Sequence, residues 1–171
     1  MPSTDKVKSP AESWVEMTEM VLPQHTNALG TVFGGVVMSW VDIAAATCAM
    51  RHAAKTVVTA SIDAMHFISP IRLGWIVTLK SAVNYTSTTS CEVGVRVTAE
   101  NPLTGEKFHT ASAYLTFVAL DSFGRATPIP QIKPGTAEEI QRMEDAKARR
   151  HARLELRDRL VKRDNRDKGH T

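Results

Sequence analysis

The chain has 171 residues and a formal net charge of +3, from 21 lysines and arginines against 18 aspartates and glutamates. A hydrophobic fraction of 43% with 23% charged residues is typical of a globular protein with a core and excludes a wholly disordered chain. Residues 136–171 carry 11 basic and 8 acidic residues, and residues 1–135 carry 10 of each. The neutral body argues against nucleic acid as a partner, because a nucleic-acid-binding domain normally has a basic face of its own.

The first part of the chain is predicted to form a strand, a loop and one long helix. Residues 1–12 are polar, contain two prolines and are expected to be a disordered lead-in. Residues 14–22 have the character of a strand, and residues 23–31 are rich in turn formers. Residues 32–50 are almost uninterrupted apolar sequence, which predicts a helix surrounded by protein. Asp42 near its middle argues against a membrane span, since a carboxylate there costs about 2.5–3.5 kcal/mol.

Four strands are predicted to follow the helix, at residues 56–67, 76–85, 91–100 and 108–120. The third alternates cleanly between apolar and polar residues, as in a sheet with one buried face. Short connections favour an antiparallel sheet. A strongly curved sheet would cover the apolar helix on more than one side, so we predict an α+β domain over residues 13–135.

A charged helix is predicted over residues 136–163, and residues 164–171 are expected to fray. Thr136 and Glu139 have the spacing of a capping box. The helix is either a solvated appendage or a source of arginines for a phosphate-bearing ligand. The sequence leaves both alternatives open.

The sequence lacks the motifs of several common kinds of catalytic centre. There is no G-x-S-x-G nucleophile motif and no Walker A motif. Cys48 and Cys91 lie in apolar segments without metal-ligand spacing, so we expect small buried side chains and neither a zinc site nor a disulfide framework. Because the N-terminus shows no secretory signal, we expect a cytoplasmic protein.

Asp42 and the glycine pair before it are the residues with the clearest chemical potential. A carboxylate within an apolar helix is either a cap or water-pocket residue, or a partly desolvated and therefore better general base. Gly34 and Gly35 lie where the free N–H groups of a helix start favour a developing negative charge. The pair either allows close approach of a substrate or relieves packing at a corner.

Residues 25–52 carry a series of motifs in a fixed order. An Asn and a Gly precede a Phe-Gly-Gly helix start, with a carboxylate two turns later and Arg-His at the end: Asn27, Gly30, Phe33-Gly34-Gly35, Asp42 and Arg51-His52. Further matching residues follow along the chain: Val57-Val58-Thr59, Phe67-Ile68-Ser69-Pro70, Gly74, Thr89-Ser90, Thr116-Phe117-Val118-Ala119-Leu120-Asp121, Gly124 and Pro128-Ile129-Pro130. On these residues the chain resembles the acyl-CoA thioesterases of the hotdog fold over about residues 14–130. The resemblance covers neither the lead-in nor the charged tail.

The resemblance implies a curved antiparallel sheet of five to six strands wrapped around one long central helix. It also implies hydrolysis of acyl-CoA to a free acid and coenzyme A, an activity of lipid and fatty-acid metabolism. Members of the family pair side by side as homodimers, often as hexameric trimers of dimers, and acyl-CoA lies at the dimer interface. No metal or other cofactor and no membrane is implied.

The resemblance also implies roles for individual residues. Asp42 would activate water as general base, Asn27 of the partner subunit would position the water or thioester, and the N–H groups near Gly34 and Gly35 would hold the carbonyl oxygen. Three further residues, Phe67, Thr89 and Ser90, would contact the substrate or else serve ordinary packing and turn bonding. The cation that meets the coenzyme A phosphates is left open among five: Arg51, Arg72, Lys80, Arg96 and Lys133.

Two other functions are compatible with this fold. A non-catalytic acyl-CoA-binding regulator would use the basic tail for a partner such as nucleic acid, but it has no need of Asp42 and Asn27, whose presence favours an enzyme. A dehydratase of the same fold would have a catalytic His in the helix region, and His52 lies too late in the chain for that role.

Overall fold

The computed structural model describes residues 7–168, which form two compact units divided between Lys133 and Pro134. The first unit contains eight strands and one long helix; the second contains one helix. The elements of the first unit are β1 (Val7–Lys8), β2 (Val15–Met20), α1 (Gly34–Ala53), β3 (Thr56–Ile62), β4 (His66–Phe67), β5 (Ile76–Thr86), β6 (Ser90–Glu100), β7 (Lys107–Leu120) and β8 (Gln131–Ile132). The second unit is α2 (Ala137–Lys168).

The main sheet has the strand order β2-β5-β6-β7-β3, with β4 also paired to β7, and every pair in it is antiparallel. Helix α1 lies against the five longer strands of this sheet. The predicted fold, one long helix covered by a curved antiparallel sheet, is therefore confirmed. Strand β3 lies at one edge of the sheet, and β2 lies at the other.

The core lies between α1 and the inner face of the sheet. The apolar residues predicted for one face of β6 are all at most 3% exposed: Cys91, Val93, Val95, Val97 and Ala99. Helix α1 meets them with small residues such as Ala44, Ala45 and Ala49, which are fully buried. Small side chains let the sheet approach the helix closely, and burial of the apolar strand residues supplies the main stabilising contribution.

The composition of α1 predicted a helix surrounded by protein, but one side of the helix is open. Met38, Ile43 and Met50 are 40%, 52% and 45% exposed. With Gly35 and Ser39, which are also exposed, these positions lie within about 140° of the helix circumference, so a broad stripe of α1 lies open along its length. Apolar composition predicted burial, but the sheet covers only part of the circumference of the helix.

The predicted strand over residues 56–67 is two strands, β3 and β4. The pairing register shows why: four steps from Ile62 to His66 stand opposite three steps from Leu115 to Ser112 on β7. The extra residue interrupts the ladder between Asp63, whose N–H still donates to the Tyr114 carbonyl at 2.9 Å, and His66, where the pairing resumes. The apolar and Thr-rich composition that predicted one strand contains no signal for this interruption.

Residues 7–12 are ordered, contrary to the predicted lead-in, whose residues 1–6 lie outside the described part of the chain. Strand β1 pairs in parallel with β8, and residues 10–12 form a short 3-10 turn. Lys8 Nζ donates to the carbonyls of Arg51 and His52, at 3.0 and 2.8 Å. A cation on the last carbonyls of a helix satisfies free acceptors and complements the helix dipole. The N-terminal segment therefore caps the end of α1.

His52 joins the same end of α1 to two other segments. It is fully buried, with Nε2 2.9 Å from the Pro130 carbonyl and Nδ1 3.5 Å from Ser13 Oγ. Burial lowers the pKa of His52 below its usual value. The imidazole is therefore held neutral where the N-terminal segment, α1 and the segment before β8 meet.

Helix α2 begins with the predicted capping box. Glu139 N donates to Thr136 Oγ1 at 3.2 Å, and Thr136 N donates to Glu139 Oε2 at 3.1 Å. The helix continues to Lys168, beyond the predicted end at residue 163, so residues 164–168 of the predicted frayed tail are helical. Residues 169–171 lie outside the described part of the chain. Ion pairs along the helix, such as Lys147 with Glu144 at 2.7 Å, link charges one turn apart.

Candidate active site

Asp42 lies on the open stripe of α1 and is partly exposed. Gly35 is exposed on the same stripe, seven residues earlier. Seven residues are two helical turns, so the two positions share one face about 10 Å apart along the axis. The carboxylate is thus less desolvated than an apolar helix predicts, and it is directly accessible to a small molecule on this face.

A hydroxyl group on edge strand β3 donates a hydrogen bond to the Asp42 carboxylate. Thr59 Oγ1 donates to Asp42 Oδ1 at 2.8 Å, across 17 residues of sequence. Sequence reasoning missed this partner, although Thr59 belongs to one of the matching motifs. Because an ionised acceptor makes a strong hydrogen bond, Thr59 fixes the orientation of the carboxylate that faces solvent.

The start of α1 has no side-chain cap. Phe33 occupies the N-cap position with extended backbone, and its carbonyl accepts from Val36 N and Val37 N. Within residues 7–168, the N–H groups of Gly34 and Gly35 have no hydrogen-bond acceptor. Free N–H groups at the positive end of a 20-residue helix suit an anionic or developing negative oxygen.

The two glycines differ in their surroundings. A Cβ on Gly35 would meet no atom within 4 Å, whereas a Cβ on Gly34 would lie 3.3 Å from Cζ of Phe67. Gly34 therefore allows the Phe67 ring to lie against the start of the helix, and Gly35 leaves the helix start open to a ligand. The packing alternative therefore holds for Gly34, and close approach of a substrate stays a prediction for Gly35.

A cavity of about 350 Å³ adjoins this helix start. Its walls include Thr31, Val32, Gly34, Val37, Phe67 and Ile71, and the rest of its lining is the segment of residues 68–70. None of the lining residues is charged. An apolar cavity beside free N–H groups can hold a ligand that carries a carbonyl at one end of an apolar group.

Asn27 organises the loop in front of the cavity. Its Oδ1 accepts from Leu29 N at 2.9 Å, and its Nδ2 donates to Thr31 Oγ1 at 3.0 Å. The loop is attached to α1 by the His25 ring, whose edge meets Trp40 with centroids 5.1 Å apart. In the described residues of one chain, no hydrogen bond joins Asn27 to Asp42.

Thr89 and Ser90 lie at the other end of the sheet from Phe67. Ser90 pairs with Val118 of β7, and Val58 pairs with the same residue from the other side. Phe67 pairs with Ala111, seven residues away along β7, which corresponds to about 23 Å. One chain thus has two groups of predicted site residues: Gly34, Gly35 and Phe67 near the cavity, and Thr89 and Ser90 level with the strand that holds Thr59.

Both cysteines are buried, and two of the five candidate cations have partners within the chain. Burial raises the pKa of both Cys48 and Cys91 to about 12, so neither supplies a thiolate near neutral pH. Of the five candidate cations, Arg51 donates to the Trp14 carbonyl and Lys80 pairs with Glu16. Arg72 is exposed and directly follows Ile71, a residue of the cavity wall.

No group of three or more His, Cys, Asp or Glu side chains in residues 7–161, the part of the chain whose side chains the structure describes, is placed to hold a metal ion. Neither helix in residues 7–168 combines the length and hydropathy of a membrane span.

Comparison with known proteins identifies similar chains. The family model of the thioesterase superfamily matches residues 29–106. An uncharacterized acyl-CoA thioester hydrolase of Bacillus subtilis is 45% identical over 129 residues, which is 75% of each chain. A crystal structure of an apo-hexameric acyl-CoA thioesterase is 43% identical with a TM-score of 0.85, over 88% of this chain and 97% of that one.

A second group of structures is of an acyl-CoA hydrolase from Staphylococcus aureus. Its complex with butyryl-coenzyme A, coenzyme A and coenzyme A disulfide is 37% identical with a TM-score of 0.77, over 91% of this chain and 99% of that one. The same hydrolase has been solved with alanine in place of an aspartate, a threonine or an asparagine, with TM-scores of 0.83, 0.82 and 0.79.

Proposed function

Because the chain belongs to the thioesterase superfamily, we propose that it hydrolyses acyl-CoA thioesters to free carboxylic acids and coenzyme A. The observation that carries the proposal is the Asp42 carboxylate, accessible on the open stripe of α1 and hydrogen-bonded by Thr59. The similar S. aureus hydrolase binds butyryl-coenzyme A. Its aspartate, threonine and asparagine variants concern the same residue types as Asp42, Thr59 and Asn27 here.

In the proposed reaction Asp42 is the general base. It takes a proton from a water molecule, whose oxygen attacks the thioester carbonyl carbon. The carbonyl oxygen becomes an oxyanion, which the free N–H groups of Gly34 and Gly35 stabilise together with the dipole of α1. When the tetrahedral intermediate collapses, the C–S bond breaks, and the coenzyme A sulfur takes up the proton. Base and oxyanion site come from the protein itself, so the proposal includes no metal or other cofactor.

The proposed site is shared between two copies of the chain. Asn27 is bonded within its own loop and not to Asp42, so we assign it to the site of the partner copy, where it positions the water or the thioester. Edge strand β3 supports such pairing, because Val58 and Ile62 on it are 44% and 41% exposed and an edge strand has free ladder groups. We propose a homodimer joined along β3 and assembled as a trimer of dimers, because a similar acyl-CoA thioesterase is hexameric.

We assign the remaining contacts to the two ends of the substrate. Gly34, Gly35 and Phe67 would contact the thioester end, at the helix start and the cavity. Thr89 and Ser90 would contact the pantetheine, because the turn that carries them lies level with the β3 edge where the second copy would pair. The basic residues of α2 are left as a solvated face, since several of them pair with acidic residues of the same helix.

The test is a thiol-release assay with acyl-CoA substrates of increasing chain length. Asp42→Asn keeps the shape of the side chain but removes the base, so kcat should fall by about 10²–10⁴-fold while the oligomer stays folded. Asp145→Asn is the matched control, because Asp145 is exposed on α2 and accepts from Gln141 only one turn away. Unchanged turnover in Asp42→Asn would sink the mechanism. No turnover by the wild-type protein on any thioester would favour a non-catalytic acyl-CoA-binding protein.

A further inference from the structure

We propose that the cavity beside the start of α1 receives the acyl chain of the substrate, and that the ring of Phe67 sets the longest chain it accepts. The inference rests on the proposed function and adds a substrate class to it: acyl-CoA whose chain is limited by one movable wall. It assigns to Phe67 a specificity role instead of a general substrate contact.

The chemistry of the walls selects the acyl end of the substrate. Val32, Val37 and Ile71 present apolar side chains, and no charged residue lines the cavity. Pantetheine carries amide groups that need hydrogen-bond partners, whereas an alkyl chain needs none, and unpaired amides in an apolar cavity are costly. An apolar cavity that opens beside the oxyanion site therefore suits the carbon chain attached to the thioester carbonyl.

The position of the cavity fits this assignment. Gly34 belongs both to its wall and to the pair of free N–H groups at the helix start. A carbonyl oxygen bound at these groups places its carbon within a few ångströms of the cavity mouth. One substituent of that carbon can then enter the cavity, and the other can follow the open stripe of α1 away from it.

The walls differ in how firmly they are held. Val37 and Ile71 are only 1% and 4% exposed and belong to the core cluster. In the single chain Phe67 is 49% exposed, and its strand β4 has only two residues paired to β7. Its ring lies on the bare face of Gly34 instead of among core side chains. A longer acyl chain can therefore displace the Phe67 ring at lower cost than any residue of the core wall.

The experiment compares kcat/KM across straight-chain acyl-CoA substrates for Phe67→Ala, Phe67→Trp and wild type. Phe67→Ala should move the optimum to chains longer by two or more carbons, with kcat/KM for the first disfavoured wild-type length rising about tenfold or more. Phe67→Trp should move the optimum to shorter chains. Inhibition by free coenzyme A, which has no acyl chain, should be the same in all three proteins.

Phe123→Ala is the matched control, because Phe123 is 80% exposed in a turn and does not line the cavity. Its chain-length profile should equal that of the wild type. If Phe67→Ala does not fold, as judged by circular dichroism, Phe67→Leu takes its place with a smaller shift in the same direction.

Two outcomes overturn the inference and are distinguishable. If wild type and Phe123→Ala hydrolyse acyl-CoA but Phe67 variants change kcat/KM equally at every length, or change inhibition by free coenzyme A, then Phe67 contacts pantetheine and only this inference fails. If no protein in the set releases thiol from any substrate, the proposed function fails as well.

Discussion

Replacement of Thr59 by valine isolates one hydrogen bond of the proposed active site. Valine keeps the β-branched shape that suits edge strand β3 but removes the hydroxyl that donates to Asp42 Oδ1 at 2.8 Å. A hydrogen bond to a charged group contributes about 1.5–3 kcal/mol. Because this pair is partly exposed, we take the lower end of that range, about 1.5 kcal/mol, which corresponds to a loss of about tenfold in rate.

The loss should appear in kcat, because Thr59 orients the base and does not bind the substrate in the proposed mechanism. The measurement is initial-rate thiol release over a range of acyl-CoA concentrations, which separates kcat from KM. Thr59→Ser, which restores a hydroxyl, should recover most of the activity. Recovery by serine distinguishes a positioning role from a structural one.

The matched control is Thr56→Val, because Thr56 is also an exposed threonine of β3. It should retain wild-type kcat and KM. The reasoning is refuted if Thr59→Val turns over at the wild-type rate, or if Thr56→Val loses as much activity as Thr59→Val. A change in oligomer size on size-exclusion chromatography would show that the edge strand itself was disturbed.

Two further predictions concern the end of α1. Burial holds the pKa of His52 below its usual value of 6.5, so the stabilisation from its neutral form is complete above pH 6.5 and is lost as the pH falls below it. Thermal unfolding of the wild type should therefore shift to lower temperature between pH 7 and pH 5 more steeply than that of His52→Gln; parallel curves would contradict this. Ala54 ends α1 with φ 51°, in the left-handed region, where glycine has no Cβ clash. Ala54→Gly should stabilise the fold by about 0.5–1 kcal/mol and raise Tm by about 1–4 °C, and a lower Tm would contradict the strain argument.

The longer strands were predictable because their signal is local. Alternation of apolar and polar residues in β6 depends only on neighbours two positions apart, and the inward set from Cys91 to Ala99 is buried as expected. The capping box of α2 was predictable for the same reason, since its residues are three apart. In contrast, β1 and β8 are two residues each, and two residues cannot show a period.

The open stripe of α1 and the break between β3 and β4 were not predictable. Both depend on how one element fits another: the width of the sheet around the helix, and one extra residue opposite β7. The alternation in β6 predicted one buried and one polar face, and the polar face is not exposed throughout. Glu92 points away from the core side of the strand but is only 2% exposed, with the Asn84 amide 3.4 Å from its carboxylate.

By itself the sequence determined the order of the longer elements, the apolar helix with its glycine start, and Asp42 as the candidate catalytic residue. These follow from side-chain types and spacings within a few residues, where backbone geometry permits few alternatives. Only the tertiary structure decided that Thr59 holds Asp42, that Gly34 accommodates Phe67, and that a cavity lies beside the free N–H groups. These contacts join segments brought together by the sheet register and the packing of α1, and distances of that kind arise from the whole fold.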